Sequence, residues 1–100
     1  MFAVLYEFRV KENQHTAFVD GWRGLTELIY KHEGSLGSRL HHVEQDLYLA
    51  YARWPDRDTW ENSGNRLPPE ADQFAKAMRD ACYEIKTKHT MLIESDYLKE

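Results

Sequence analysis

A chain of 100 residues with a formal charge of −4 and scattered lysines and arginines excludes a general nucleic-acid binder, which carries a basic stripe. Its one cysteine, Cys82, excludes an internal disulfide, and no window approaches the roughly 18 apolar residues of a membrane span. The length suits a single domain over residues 1–100, and 42% apolar residues suffice for a core, although so small a domain gains from a partner.

The first element is a strand. Phe2, Val4, Tyr6, Phe8 and Val10 alternate with Ala3, Leu5, Glu7 and Arg9, a period of two. Asn13 is placed to cap a helix running to about Glu33, whose apolar stripe is Phe18, Trp22, Leu25 and Ile29. Gly21 and Gly24 each cost that helix about 1 kcal/mol relative to alanine, which predicts close packing against the sheet. Gly34 suits a left-handed helix stop. Leu36 to Val43 and Leu47 to Trp54 read as two strands around the short turn Glu44-Gln45-Asp46, and Pro55 ends the second. Asp56 then caps a short helix from Arg57 to Asn62. Ser63-Gly64-Asn65 breaks it, and Ser63 to Leu67 reads as a flexible loop. Pro68-Pro69-Glu70 opens a further helix with the stripe Ala71, Phe74, Met78 and Ala81. Tyr83 to Ser95 turns strand-like, and Asp96 to Glu100 is too short to classify.

Strand, helix, strand, strand, helix pair, strand is the order of the α+β, ferredoxin-like βαββαβ fold. Helices cover one face of such a sheet. The other face would expose apolar side chains, and the economical cover is an identical copy, which predicts a homodimer. The lone cysteine fits a cytoplasmic location, and the short apolar start, interrupted by Glu7, does not read as a signal peptide.

Five histidines are the main titratable resource. His15 and His32 lie near the ends of the first helix and read as solvated. His41 and His42 are adjacent on a strand and point to opposite faces, so they form no joint metal site, and no metal is expected. A two-residue loop, Gln45-Asp46, pairs His42 with Leu49 and Leu40 with Tyr51. His42 and Tyr51 are then diagonal neighbours about 7–8 Å apart. A three-residue loop puts His41 on that face instead, because one residue of slip exchanges the faces. The two-residue loop, and so His42, is preferred. Cys82, near a helix end with apolar neighbours, reads as packing, and Lys86 and Lys88 read as solvated on one strand face.

Phe18 with Trp22, Gly34-Ser-Leu-Gly-Ser-Arg-Leu-His41, and Tyr51-Ala-Arg-Trp-Pro55 with Trp60 carry a family likeness. On them the chain resembles the antibiotic biosynthesis monooxygenase superfamily of small dimeric α/β-barrel proteins. The resemblance implies a homodimeric barrel with a ligand pocket between sheet and helices in each subunit. It also implies one of several activities: cofactor-free oxygenation of phenolic or quinol-like compounds, haem degradation, isomerase-like chemistry or signal processing. The haem-degrading members resemble one another in an asparagine on the first strand and a histidine beyond the tryptophan after the third. Here the first strand has no asparagine, and no histidine lies between Trp60 and Lys88.

The expectation is a monooxygenase without metal, flavin or other cofactor, acting on a small hydrophobic, aromatic or quinol-like ligand. The substrate must be deprotonated to donate an electron to dioxygen, which suits a base of near-neutral pKa, and donors must hold the resulting oxyanion. His42, Tyr51 and Asn62 are the expected catalytic residues. Trp60, Trp22, Tyr6 and Arg39 are expected to hold substrate, with Trp54 as a further flat wall. A non-catalytic ligand-binding or stress-response dimer, and an isomerase on the same scaffold, are the alternatives.

Overall fold

The computed structural model describes residues 1–98. The elements are β1 (Phe2–Val10), α1 (His15–His32), β2 (Gly37–Glu44), β3 (Leu47–Trp54), α2 (Arg57–Glu61), α3 (Ala71–Asp80) and β4 (Cys82–Leu92). The four strands form one antiparallel sheet in the order β2-β3-β1-β4. The two most apolar strands sit at its centre. This is the ferredoxin-like α+β fold expected from the element order. Among the described residues no helix is long and apolar enough to cross a membrane.

Strand alternation decides which side chains meet the helices. In β3, Tyr48, Ala50, Ala52 and Trp54 are buried, while Leu47, Leu49, Tyr51 and Arg53 are half-buried on the other face. The register sets Phe2 opposite Trp54, Val4 opposite Ala52, Tyr6 opposite Ala50 and Phe8 opposite Tyr48, so the apolar parity of β1 shares the helix-covered face. Two clusters form there. Phe8, Val10, Phe18, Tyr48 and Cys82 belong to the first, with Trp22 and Met78 packed against it. Phe2, Val4, Ala52 and Trp54 form the second, flanked by Tyr6, Ile29 and Trp60. Tyr6 joins the two. Full burial of a phenylalanine such as Phe18 contributes roughly 2–3 kcal/mol.

The helix glycines pack against α3, not against the sheet. A Cβ on Gly21 would lie 3.0 Å from the Met78 backbone nitrogen and 3.0 Å from the Phe74 carbonyl oxygen. One on Gly24 would lie 2.4 Å from the Phe74 ring. The absent side chains let two helices touch at backbone distance. Gly21→Ala is therefore expected to destabilise by about 1–2 kcal/mol, overpacking outweighing the gain in helix propensity. A urea midpoint equal to or above that of the parent chain would contradict this.

Three local expectations are corrected. Asn13 does not cap α1: it takes φ 65°, a left-handed turn that asparagine tolerates, and Gln14 precedes the helix without a side-chain cap. The Ser63–Leu67 segment is not a free loop. The fully buried Glu33 carboxylate, just past α1, accepts the Arg66 backbone N–H at 2.8 Å and pairs with the Arg66 guanidinium at 3.2 Å. The strand-like C-terminal stretch ends at Leu92, after which Ile93 N–H donates once more to the Met1 carbonyl. Of the unclassified tail, Asp96 pairs with Arg53, and residues 99–100 lie outside the described residues.

Candidate functional site

The hairpin between β2 and β3 closes with Glu44 opposite Leu47, as a two-residue loop requires, but a bulge follows at once. The pairs beyond it are His42 with Tyr48, His41 with Leu49, Leu40 with Ala50 and Arg39 with Tyr51. Val43 is the extra residue, and it reverses every face assignment upstream of the turn. His42 therefore does not face Tyr51; His41 does. The cause is visible in the packing. His42 stacks on Tyr48 with ring centroids 4.2 Å apart and planes 4° apart, and its Nε2 lies 2.8 Å from the Gln45 carbonyl. His15 completes this group with Nδ1 2.9 Å from the Tyr48 hydroxyl, so it is a partly buried packing residue and not a solvated one.

The seven expected site residues divide between the two faces of the sheet. Arg39 and Tyr51 lie on the uncovered face. Trp22 packs into the first core cluster. Tyr6 and Trp60 meet directly: the indole Nε1–H donates to the Tyr6 hydroxyl at 2.9 Å. Burial pushes the Tyr6 phenol above its ordinary value of 10.0, against the opposing pull of the Trp60 hydrogen bond. Tyr6 thus stays protonated at neutral pH. Because its oxygen accepts from Trp60, its own proton is free for another acceptor. Phe2 lies beside them, 5.8 Å from the Trp60 ring, under the Arg57 guanidinium at 4.9 Å. Asn62 does not join this group. It is exposed at the end of α2, and its amide donates to the Asp58 carbonyl at 2.9 Å, an end-of-helix role.

Trp54 supplies what the residue pattern did not reveal. Only 3% exposed in the cluster that Tyr6 and Trp60 flank, its Nε1–H has no acceptor among the described residues. A buried unpaired donor costs about 1–3 kcal/mol, so its persistence asks for an explanation. Its cover is slight. α2 has five residues and buries none, and Asp56 caps it by accepting from Thr59 N–H at 2.8 Å.

On the uncovered face lies an open concavity of about 960 Å³. Leu5, Leu36 and Leu49 give it an apolar floor, and Arg39, His41, Tyr51 and Arg53 stand around it. A ligand pocket between sheet and helices was the expectation, yet this larger concavity is on the opposite side. A smaller one of about 300 Å³ lies where α1 meets β3, beside His15 and Tyr48. Cys82 is no nucleophile here, because burial pushes its thiol up to about 11, only partly opposed by Lys11.

The class these features define is a ferredoxin-like α+β domain with hydrogen-bond donors beneath its shortest helix. Residues 1–80 match the family model of the antibiotic biosynthesis monooxygenases, and the chain belongs to that family. No curated protein matches it by sequence. Among solved structures it is similar to SnoaB, a cofactor-independent oxygenase from Streptomyces nogalater, in a form with one asparagine changed to alanine. The TM-score is 0.76 at 16% identity, over 98% of this chain and 97% of that one. It is similar also to a candidate antibiotic biosynthesis monooxygenase from Nitrosomonas europaea, at TM-score 0.76 and 13% identity, over 95% and 100%. A third, from Deinococcus radiodurans and of the same candidate class, gives TM-score 0.76 at 9% identity, over 100% and 99%. Likeness at such identities is likeness of fold.

Proposed function

We propose that this protein is a cofactor-free monooxygenase of small phenolic or quinol-like compounds, with its chemistry beneath α2. The observation that carries this is the donor group on the helix-covered face. The Tyr6 hydroxyl is oriented by Trp60, and the Trp54 indole N–H, in the cluster that Tyr6 and Trp60 flank, is buried without an acceptor among the described residues. Family membership supports the reaction class.

The chemistry asked of these residues is modest. A phenolate gives one electron to dioxygen, and the two radicals combine to form a C–O bond at a ring carbon. The hydroperoxide then loses water as its O–O bond breaks and the ring C–H proton departs. A phenol and dioxygen become a quinone and water. Negative charge sits first on the phenolate oxygen and then on the peroxide, and two fixed donors in a water-poor cluster stabilise both. Phe2, Trp60 and Ile29 offer an aromatic and aliphatic wall. α2, with no buried residue, is among the least costly parts of the fold to displace for a ligand.

This donor group contains no base. His42 is held against Tyr48 and His41 is on the other face, so the substrate must ionise by itself. The rate should therefore rise with pH through the phenol pKa of each substrate, differently for each. The test is oxygen uptake with a series of quinols of graded acidity, with and without a chelator. The expected result is metal-independent uptake whose inflection follows the substrate. One inflection near 6.5 shared by all substrates would assign a histidine base instead. A rise in melting temperature with ligand but no uptake across the series would favour the binding-module reading.

We infer a homodimer across the uncovered sheet face. Leu5, Leu47, Leu49 and Tyr51 are half-buried there, a mixed face that a second copy would dry. Sedimentation at micromolar concentration should show a dimer; a well-folded monomer would overturn this inference.

A further inference from the structure

The two side-chain donors found buried without a partner among the described residues belong to consecutive residues of β3, and so point to opposite faces. Trp54 Nε1 belongs to the cluster beneath α2. Arg53 Nε lies on the uncovered face, at the wall of the large concavity. The second donor has no part in the chemistry assigned above.

The charges around that concavity are one-sided. Arg39 and Arg53 border it as fixed positive charges, with His41 beside them, and among the described residues the one carboxylate engaged with these arginines is Asp96, on Arg53. Arg39 makes no ion pair among the described residues. The chain as a whole is negative, so this is a local reversal of sign. An identical copy laid over the face by a twofold axis would bring a second Arg39 and a second Arg53 with its own Asp96, which leaves the surroundings of the concavity net positive. Nearby acids on the face are already occupied: Glu7 pairs with Arg9 and Lys88, and Glu84 pairs with Lys86. Between the cations the floor is leucine, with the Tyr51 ring directly opposite Arg39 in the strand register.

We propose that this concavity is a second binding site, for a small aromatic carboxylate. Its ring lies on Leu5, Leu49 and Tyr51. Its carboxylate is held by the Arg39 guanidinium, a planar donor fork suited to a planar acceptor, with the positive charge of Arg53 beside it. Gly37, at φ +116° with no atom of the described residues within 4 Å of where a Cβ would stand, leaves the mouth beside Arg39 open. Asp96 competes with the ligand for Arg53, so the C-terminal segment sets the affinity. A second copy covering the face would roof this site with the anion neutralising both sets of cations.

The matched probes are 3-hydroxy-2-naphthoate and 2-naphthol, which differ by the carboxylate, titrated calorimetrically into the full chain at two salt concentrations. The carboxylate should bind at least tenfold more tightly than the naphthol, less so at high salt. Arg39→Gln should remove that preference, and Asp96→Asn should raise the affinity severalfold. Arg39 is exposed on an edge strand, so its variant keeps the fold, and circular dichroism checks this. Equal binding of the two probes overturns the proposal, as does a preference unchanged in Arg39→Gln. Binding abolished by Trp60→Phe while Arg39→Gln is unaffected would put the ligand beneath α2 and overturn it too. A carboxylate preference that depends on Arg39 supports it whether or not any probe is oxidised, so the site and the oxygenase reading fail separately.

Discussion

Replacing Glu33 with alanine should lower stability by about 3 kcal/mol, because a fully buried carboxylate loses its place to nothing and strands the donors it served. The backbone N–H groups of Arg66 and Gly64 and the Arg66 guanidinium all converge on it. For a domain of this size the expected fall in melting temperature is about 15 °C. The same carboxylate makes stability depend on pH. Burial pushes its pKa up. The backbone N–H groups of Arg66 and Gly64, followed by the Arg66 side chain, outweigh that and hold it below its ordinary value of 4.5. A group whose pKa is depressed by folding contributes fully above the unfolded value, and the contribution is lost as pH falls through the folded one. Wild type should therefore lose stability below about pH 4.5 by a component that Glu33→Gln, already neutral, does not show. Arg66→Ala should cost less, since its side chain is largely exposed and its backbone N–H remains. Chemical denaturation of the three variants between pH 3 and 7 decides the matter. A melting temperature for Glu33→Ala within 3 °C of wild type would show that the Glu33 carboxylate does not hold the Arg66 segment in place.

Tyr6→Phe should lower oxygen uptake at least tenfold at saturating quinol, with KM changed much less, if the phenol serves the oxyanion. Trp60→Phe keeps an aromatic wall but no longer orients the Tyr6 hydroxyl, and should lose a smaller factor, roughly three- to tenfold. His42→Ala, expected from sequence to remove the base, should instead leave turnover near wild type and act on stability, since it unstacks Tyr48. Turnover reduced tenfold by His42→Ala in a protein of unchanged melting temperature would reverse the assignment of roles. Equal turnover in Tyr6→Phe and wild type would empty the site beneath α2 of its chemistry.

Comparing residues with structure shows where pattern suffices. The alternation in Phe2–Val10 and Leu47–Trp54 placed both central strands to the residue, because a half-buried strand must repeat every two positions. Asp56 was legible as a cap because its carboxylate has one local job. Tyr6 and Trp60 were legible as an aromatic pair of candidates, though nothing in the sequence separation of 54 says that they touch. The histidine assignment failed for a definable reason. A bulge inserts one residue, Val43, without any change in composition, and one residue exchanges the faces. Glu33 was unreadable because an isolated glutamate at a helix end is usually solvated. Its role exists only once the segment before α3 folds back over it. Arg53 carried a faint signal, its shared parity with Tyr51 in β3, which the pull of Trp54 beside it obscured.

Periodicity by itself determined the element order and the ferredoxin-like sheet, because these follow from local conformational preference and from which side chains avoid water, while the family was legible as a likeness carried by Phe18 with Trp22, Gly34 to His41, and Tyr51 to Pro55 with Trp60. Only the tertiary structure decided which histidine faces Tyr51, which helix the glycines touch, and that β3 sets Trp54 under α2 and Arg53 in the open concavity. Those facts depend on contacts between distant segments and on a register that one inserted residue can invert.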